Sequence, residues 1–219
     1  MVRTSTNIAV FVATVVLGLC AFRVAGSADS SIPDPASASD DTPRYTSSGE
    51  LIFPARYRDW TFLTSGLDMS YQKEIPGGSA HMFENVFADP TADKSFQQTG
   101  MWPDGTTLVI EFRDAQTALS INKHGRVQTD VMGYLAHVKD EHRFPGKWRF
   151  FSFGTDGKPG SMIATTAACY TCHSSHGAVD NTFVQFYPTL LPIATTKGTL
   201  SEGYLHDPTP APEPSASGQ

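Results

Sequence analysis

The chain has 219 residues, with 16 Lys and Arg against 22 Asp and Glu, a formal charge of −6 at pH 7. A length between one and two typical domains, with both ends poor in core-forming residues, predicts a single folded domain. The basic residues are scattered and outnumbered, so no surface is built to neutralise phosphates, and nucleic-acid binding is excluded.

In residues 1–28, Arg3 supplies a positive start, Ile8 to Leu19 an apolar run, and Ala25 to Ala28 small residues suited to cleavage. This is the pattern of a secretory signal peptide. The run falls short of the ~20 residues that a spanning helix needs, and Leu19 before Cys20 argues against a lipid anchor. Cleavage removes Arg3, Arg23 and Cys20, leaving 14 basic against 22 acidic residues, or −8. The expectation is a periplasmic or secreted protein with no membrane contact after cleavage. Cys169 and Cys172 then remain as the only thiols in a compartment where disulfides form, so something specific should occupy both.

Residues 29–48 are Ser, Asp, Pro, Ala and Thr with few large apolar side chains, which predicts a disordered linker. The folded domain is expected over 49–200. Within it, Leu108, Ile110 and Phe112 alternate with Glu111 and Arg113 along Thr106 to Arg113, the period of a strand. Trp60 to Leu67, Met82 to Ala88, Gln128 to Val138 and Trp148 to Phe153 carry similar aromatic and β-branched enrichment between Gly, Pro or Asp. Asp89 before Pro90 reads as an N-cap with proline at the first helical position, and Gly100 as the stop of a helix between them. The fold class is α+β, predominantly an antiparallel sheet with a few short helices. Residues 201–219, rich in alternating proline, are expected to be a disordered tail.

Cys169-Tyr170-Thr171-Cys172-His173 has the spacing at which two thiols add across haem vinyl groups while the adjacent imidazole reaches the iron. A thioredoxin-like βαβ pattern is missing, and a second cysteine pair for structural zinc is missing too. One covalent haem c with His173 as iron ligand is the reading. All six methionines precede His173, so the downstream Met of the common small carriers is unavailable and a five-coordinate iron is the expectation. Four long amphipathic helices cannot be drawn through the sequence, which leaves a haem packed against a sheet.

Tyr57-Arg58-Asp59-Trp60, Thr99-Gly100, Asp104-Gly105-Thr106 and the run from Phe183 to Pro188 resemble cytochrome P-460 and the related cytochrome c′-beta proteins, over about Gly49 to Gly198. The resemblance implies an antiparallel sheet with short helices, a five-coordinate haem and commonly a homodimer. It also implies hydroxylamine oxidation in one branch and nitric oxide binding in the other. A lysine bonded to the haem edge, expected just before the Thr-Gly pair, is replaced here by Gln97 and Gln98. Lys94 lies one turn before Gln98, about 6 Å away along the axis.

Trp102 matches the place where an aromatic caps the open haem face in relatives, and Phe96 has the same choice between haem contact and core. Phe186 and Tyr187 are expected to pack on the porphyrin. Glu111 is a catalytic candidate as proton relay if it turns into the pocket, and a solvated or Arg113- or Arg149-paired carboxylate otherwise. His176 shares a helix face with His173, and Arg56 and Arg58 either meet propionates or pair on the surface. Three functions stay open: binding of a small ligand such as nitric oxide, oxidation of hydroxylamine or nitric oxide, and electron transfer to a redox partner protein.

Overall fold

The computed structural model describes residues 42–71, 81–117, 119–146 and 148–208. The signal peptide, 29–41 of the linker and 209–219 of the tail lie outside them. No helix among the described residues is long and apolar enough to cross a membrane.

Six strands, β1 (Thr61–Leu67), β2 (Met82–Ala88), β3 (Thr107–Gln116), β4 (Val127–Lys139), β5 (Trp148–Phe153) and β6 (Ser161–Met162), form one antiparallel meander in chain order. The five strands expected from alternation are all present. Two-residue β6 is not legible in advance, since it exists by pairing with Phe151 and Ser152. Helices α1 (Pro90–Thr99), α2 (Ala168–His176), α3 (Leu191–Lys197) and α4 (Glu202–Leu205) complete the α+β fold.

Helix α1 starts and stops where its caps dictate. Asp89 Oδ1 accepts the Ala92 N–H at 2.7 Å, Pro90 opens the helix, and Gly100 ends it at φ 74°. Asp89 Oδ2 also accepts the Thr107 N–H at 2.8 Å, tying the helix start to β3.

Period-two alternation gives the sheet two distinct faces. Paired positions place Glu84 and Val86 of β2, Ile110 and Phe112 of β3, Leu135 and His137 of β4 and Phe150 of β5 on one face. Toward that side α1, the loop after it, the segment after α2 and α3 contribute Phe96, Trp102, Val179, Val184, Tyr187, Leu190 and Ala194 to the main core. The opposite face carries Asn85, Val109, Glu111, Tyr134, Ala136 and Phe151, where the chain before β1 adds Leu51, Phe53, Tyr57 and Trp60.

The folded unit is wider than 49–200 at both ends. Tyr45 bridges to Leu51 and sets its ring 6.0 Å from that of Phe151. Past residue 200, Ser201 caps α4 and Tyr204 packs on the main core. One aromatic at each end supplies apolar burial that the average composition conceals.

Because Asp89 satisfies an N-terminal helix donor and a buried strand donor together, Asp89→Ala loses a cap and orphans the Thr107 amide. The expected cost is about 2–4 kcal/mol, read as a lower denaturant midpoint with unchanged slope.

Candidate haem-binding site

Helix α2 places its three chemical groups on neighbouring turns. Its sequence is Ala-Cys-Tyr-Thr-Cys-His-Ser-Ser-His, without strong helix formers beyond Ala168, and Ala167 at its N-cap offers no side-chain bond. Tertiary contacts hold it. The Tyr170 hydroxyl donates to the Ile163 carbonyl at 3.1 Å and accepts the Phe150 N–H at 3.2 Å. Gln185 closes the far end, accepting from the Ala178 N–H at 3.0 Å and donating to the His176 carbonyl at 2.7 Å.

The His173 ring is buried between Phe183, Phe150 and His137, at centroid distances of 4.2, 4.7 and 4.8 Å. Its Nδ1 lies 2.8 Å from the Asn181 carbonyl oxygen. A carbonyl only accepts, so Nδ1 carries the proton and Nε2 keeps its lone pair. Burial lowers the His173 pKa against the opposing effect of that bond. Burial also holds His137 well below its ordinary value, with the neighbouring His173 adding to the effect. Both rings are neutral at pH 7.

His173 and Cys169 line a cavity of about 250 Å³ built on the first sheet face, walled by Val86, Ile110, Phe112, Leu135 and Ile163 among others. Cys172 lines an adjoining hollow of about 380 Å³. Tyr71, Phe183 and Phe186 border both. A planar group extending from one to the other therefore has a thiol within reach in each. Both cysteines are free and half-buried; burial first, then Asp207 and Cys169, raise the Cys172 thiol. Among the described residues no three His, Cys, Asp or Glu side chains converge as a metal cage. Two free thiols, one available imidazole nitrogen and an apolar slot are the donor set that covalent haem requires.

Several candidates lie elsewhere. Phe186 and Tyr187 line the cavity. Trp102 and Phe96 do not: they stack on each other at 4.4 Å in the core, and the Trp102 indole donates to Thr182 Oγ1 at 2.8 Å. Glu111 points to the opposite face, since the strand alternation that carries Ile110 and Phe112 into the cavity turns it away. There it accepts from Tyr57, Arg58, Arg113 (2.5 Å) and Asn85 (3.2 Å). Burial pushes its carboxyl up, but Arg113 and Tyr57 hydrogen bonds and the Arg113 and Arg58 charges outweigh this and hold it below the ordinary range. Arg58 is thereby committed to Glu111, Arg56 pairs with Asp59, and Arg149 donates to the Trp148 carbonyl instead of to Glu111. His176 binds Asp207 at 2.7 Å on the rim of the outer hollow. Lys94, Gln97 and Gln98 are exposed on α1, and no lysine is among the described residues lining the cavity.

The alternation pattern singled out the wrong glutamate for this pocket. Glu84, two residues before Val86 on β2, is the carboxylate that lines the cavity, and burial raises its pKa. Among the described residues its side chain has no hydrogen-bond or ion-pair partner. Its register opposite Phe112 is the signal that places it there once the cavity face is known.

Residues 54–184, more than half of the chain, match the family model described as Cytochrome P460. No curated protein shows significant similarity to the chain.

Glu84 carries a pH signature. Its folded pKa lies above the unfolded value, so its stabilising contribution is complete below about 4.5 and is lost as pH rises through the raised value. Glu84→Gln removes that slope. Thermal unfolding of the two holoproteins from about pH 4 to 8 should show the wild type falling relative to the variant as pH rises.

Proposed function

The chain belongs to the cytochrome P460 family and is accordingly a haem cytochrome; on that basis we propose an exported mono-haem c-type protein whose iron, held by His173, keeps a position open for a small nitrogen-oxide ligand such as nitric oxide. Haem, when bound, supplies an iron that changes oxidation state and takes a diatomic ligand. Cys169 and Cys172 would tether it, and His173 Nε2 would hold the metal.

The observation that carries the open position is the arrangement of the imidazoles. His137 is the other histidine lining the cavity, and its ring centroid is 4.8 Å from that of His173, edge to face. With metal–nitrogen bonds of about 2 Å, two imidazoles across one metal stand about 6 Å apart or more. At 4.8 Å the two rings are too close to bind one metal from opposite sides, so His137 would serve as a neutral wall of the site rather than as a second ligand. The rest of the cavity is mainly aliphatic and aromatic, which suits a small uncharged ligand.

Two observations favour other readings. Met69 lines the cavity, with its thioether over Gly66 where any Cβ would meet Sδ at 2.1 Å. A thioether on the iron would make the protein an electron carrier serving a redox partner protein. Glu84 offers a proton-transfer group in the cavity, which an oxidoreductase acting on hydroxylamine or nitric oxide would use. Periplasmic location and a homodimer are part of the proposal; the leader-like sequence of residues 1–28 supports the first and the resemblance to this family the second.

Absorption spectra of ferrous holoprotein decide between them. The expected result is a five-coordinate spectrum that changes on adding nitric oxide. A six-coordinate spectrum indifferent to nitric oxide in the wild type, with ligand binding gained in Met69→Ala, establishes the carrier reading instead. Denatured holoprotein is expected to retain one haem per chain with two thioether bonds and no third bond; a further covalent link together with hydroxylamine turnover would favour the enzyme.

A further inference from the structure

The carbonyl that accepts the His173 proton sits in an unusual turn. Val179 and Thr182 form an isolated antiparallel bridge, with Thr182 N–H donating to Val179 O at 2.9 Å and the reverse bond at 3.3 Å. The two residues between them, Asp180 and Asn181, have φ of 47° and 61°. Positive φ at both central positions is the I′-like geometry that glycine usually supplies, and Asp and Asn are the side chains that best tolerate it. This turn lies against the end of α2: a Cβ on Gly177 would come within 2.6 Å of the His173 carbonyl oxygen and 2.8 Å of the Asn181 carbonyl carbon.

The turn is braced from the sheet. Lys139, at the end of β4 on the cavity side, is buried, and its Nζ donates to Asp180 Oδ2 at 2.6 Å and to the Trp102 carbonyl at 2.6 Å. Glu141 lies 3.5 Å from the same nitrogen. Trp102 in turn donates from its indole to Thr182 Oγ1, which donates to the Val179 carbonyl at 2.7 Å. Both ends of the turn are thus fixed by two neighbouring buried groups.

We propose that Lys139 and Asp180 are positioning residues for His173: the ion pair of buried Lys139 with half-buried Asp180 holds the left-handed Asp180–Asn181 turn so that the Asn181 carbonyl stays bonded to His173 Nδ1–H and sets how strongly Nε2 donates to the iron. The inference rests on the haem reading above. A firmly accepted Nδ1 proton makes the imidazole more basic and favours the oxidised metal. A turn that relaxes weakens that bond and favours the reduced metal.

Holoprotein variants Asp180→Asn, Lys139→Met and Asn181→Gly test this by reduction potential and by the ferrous iron–histidine stretching band in resonance Raman spectra. Asp180→Asn and Lys139→Met are expected to lower the stretching frequency and to move the redox equilibrium severalfold toward the reduced form, while Lys139→Arg and Asn181→Gly stay near wild type. The direction for Lys139→Met is diagnostic. Loss of a positive charge by field effect alone favours the oxidised form, opposite to the positioning effect. Opposite shifts for Asp180→Asn and Lys139→Met with an unchanged stretching band overturn the proposal. Asn181→Gly changes no charge and keeps both the turn and the ion pair, so a shifted band in that variant overturns the proposal; where Lys139→Met fails to accumulate, an unchanged band in Asp180→Asn overturns it as well. A wild-type protein whose band is absent, or persists in His173→Gly, refutes the five-coordinate, His173-ligated haem reading itself rather than this one.

Discussion

The bond from His173 Nδ1 to the Asn181 carbonyl is the constraint on which the site depends. An imidazole on a helix is free to turn about two side-chain torsions, and either nitrogen could carry the proton. Fixing one N–H against a backbone acceptor selects the tautomer and the ring orientation together. The ring then has aromatic neighbours on several sides, so rotation away from the carbonyl would also give up packing against Phe183 and Phe150. Because the acceptor is a main-chain atom, its position is set by the turn around it and not by the identity of the Asn181 side chain.

The sheet divides the electrostatics between its faces. Glu111 is almost fully buried, yet two guanidinium groups, a phenol and an amide surround it, so its charge is compensated within a shell of donors. Asn85 is shared between Glu111 and Gln128, with reciprocal amide bonds of 2.7 and 3.0 Å to the latter. All of this lies across the sheet from the cavity. The cavity face by contrast is apolar, with neutral histidines and the half-buried Glu84. Such a face suits a flat, largely apolar cofactor, and it makes the protonation of Glu84 respond to what occupies the space beside it.

What the sequence discloses depends on how local the cause is. Strands β1 to β5 follow from alternation, and α1 from Asp89-Pro90 and Gly100, because those signals act within a few residues. The Cys-x-x-Cys-His spacing marks α2 as the proposed attachment helix for the same reason. Period two also separates Glu111 from Ile110 and Phe112, but it does not say which face receives the haem when both faces bury aromatics. That depends on which side α2 packs, a decision made more than 50 residues later in the chain. Trp102 shows the same limit. A large aromatic beyond a helix stop satisfies either a haem cap or a core position, and the partner that decides, Thr182, lies 80 residues away. The turn at Asp180–Asn181 was within reach, since adjacent Asp and Asn are a turn signal; its link to Lys139 was not.

Helix α2 is intrinsically weak. It has nine residues, no side-chain cap at its start and a sequence poor in helix formers. Its stability has to come from Tyr170, Gln185, the close packing of Gly177 and Gly203, and whatever its cysteines and histidine bind. Gly203 of α4 approaches so near that a Cβ would lie 2.2 Å from the Ser175 carbonyl oxygen, so even the last described helix is shaped around α2. A cofactor bonded at three consecutive contact points of that helix would contribute most where the chain alone contributes least. Occupancy of the site and order of α2 would then be coupled, with Tyr170, Gln185 and the turns around Gly177 and Gly203 supplying what the helix's own propensity does not.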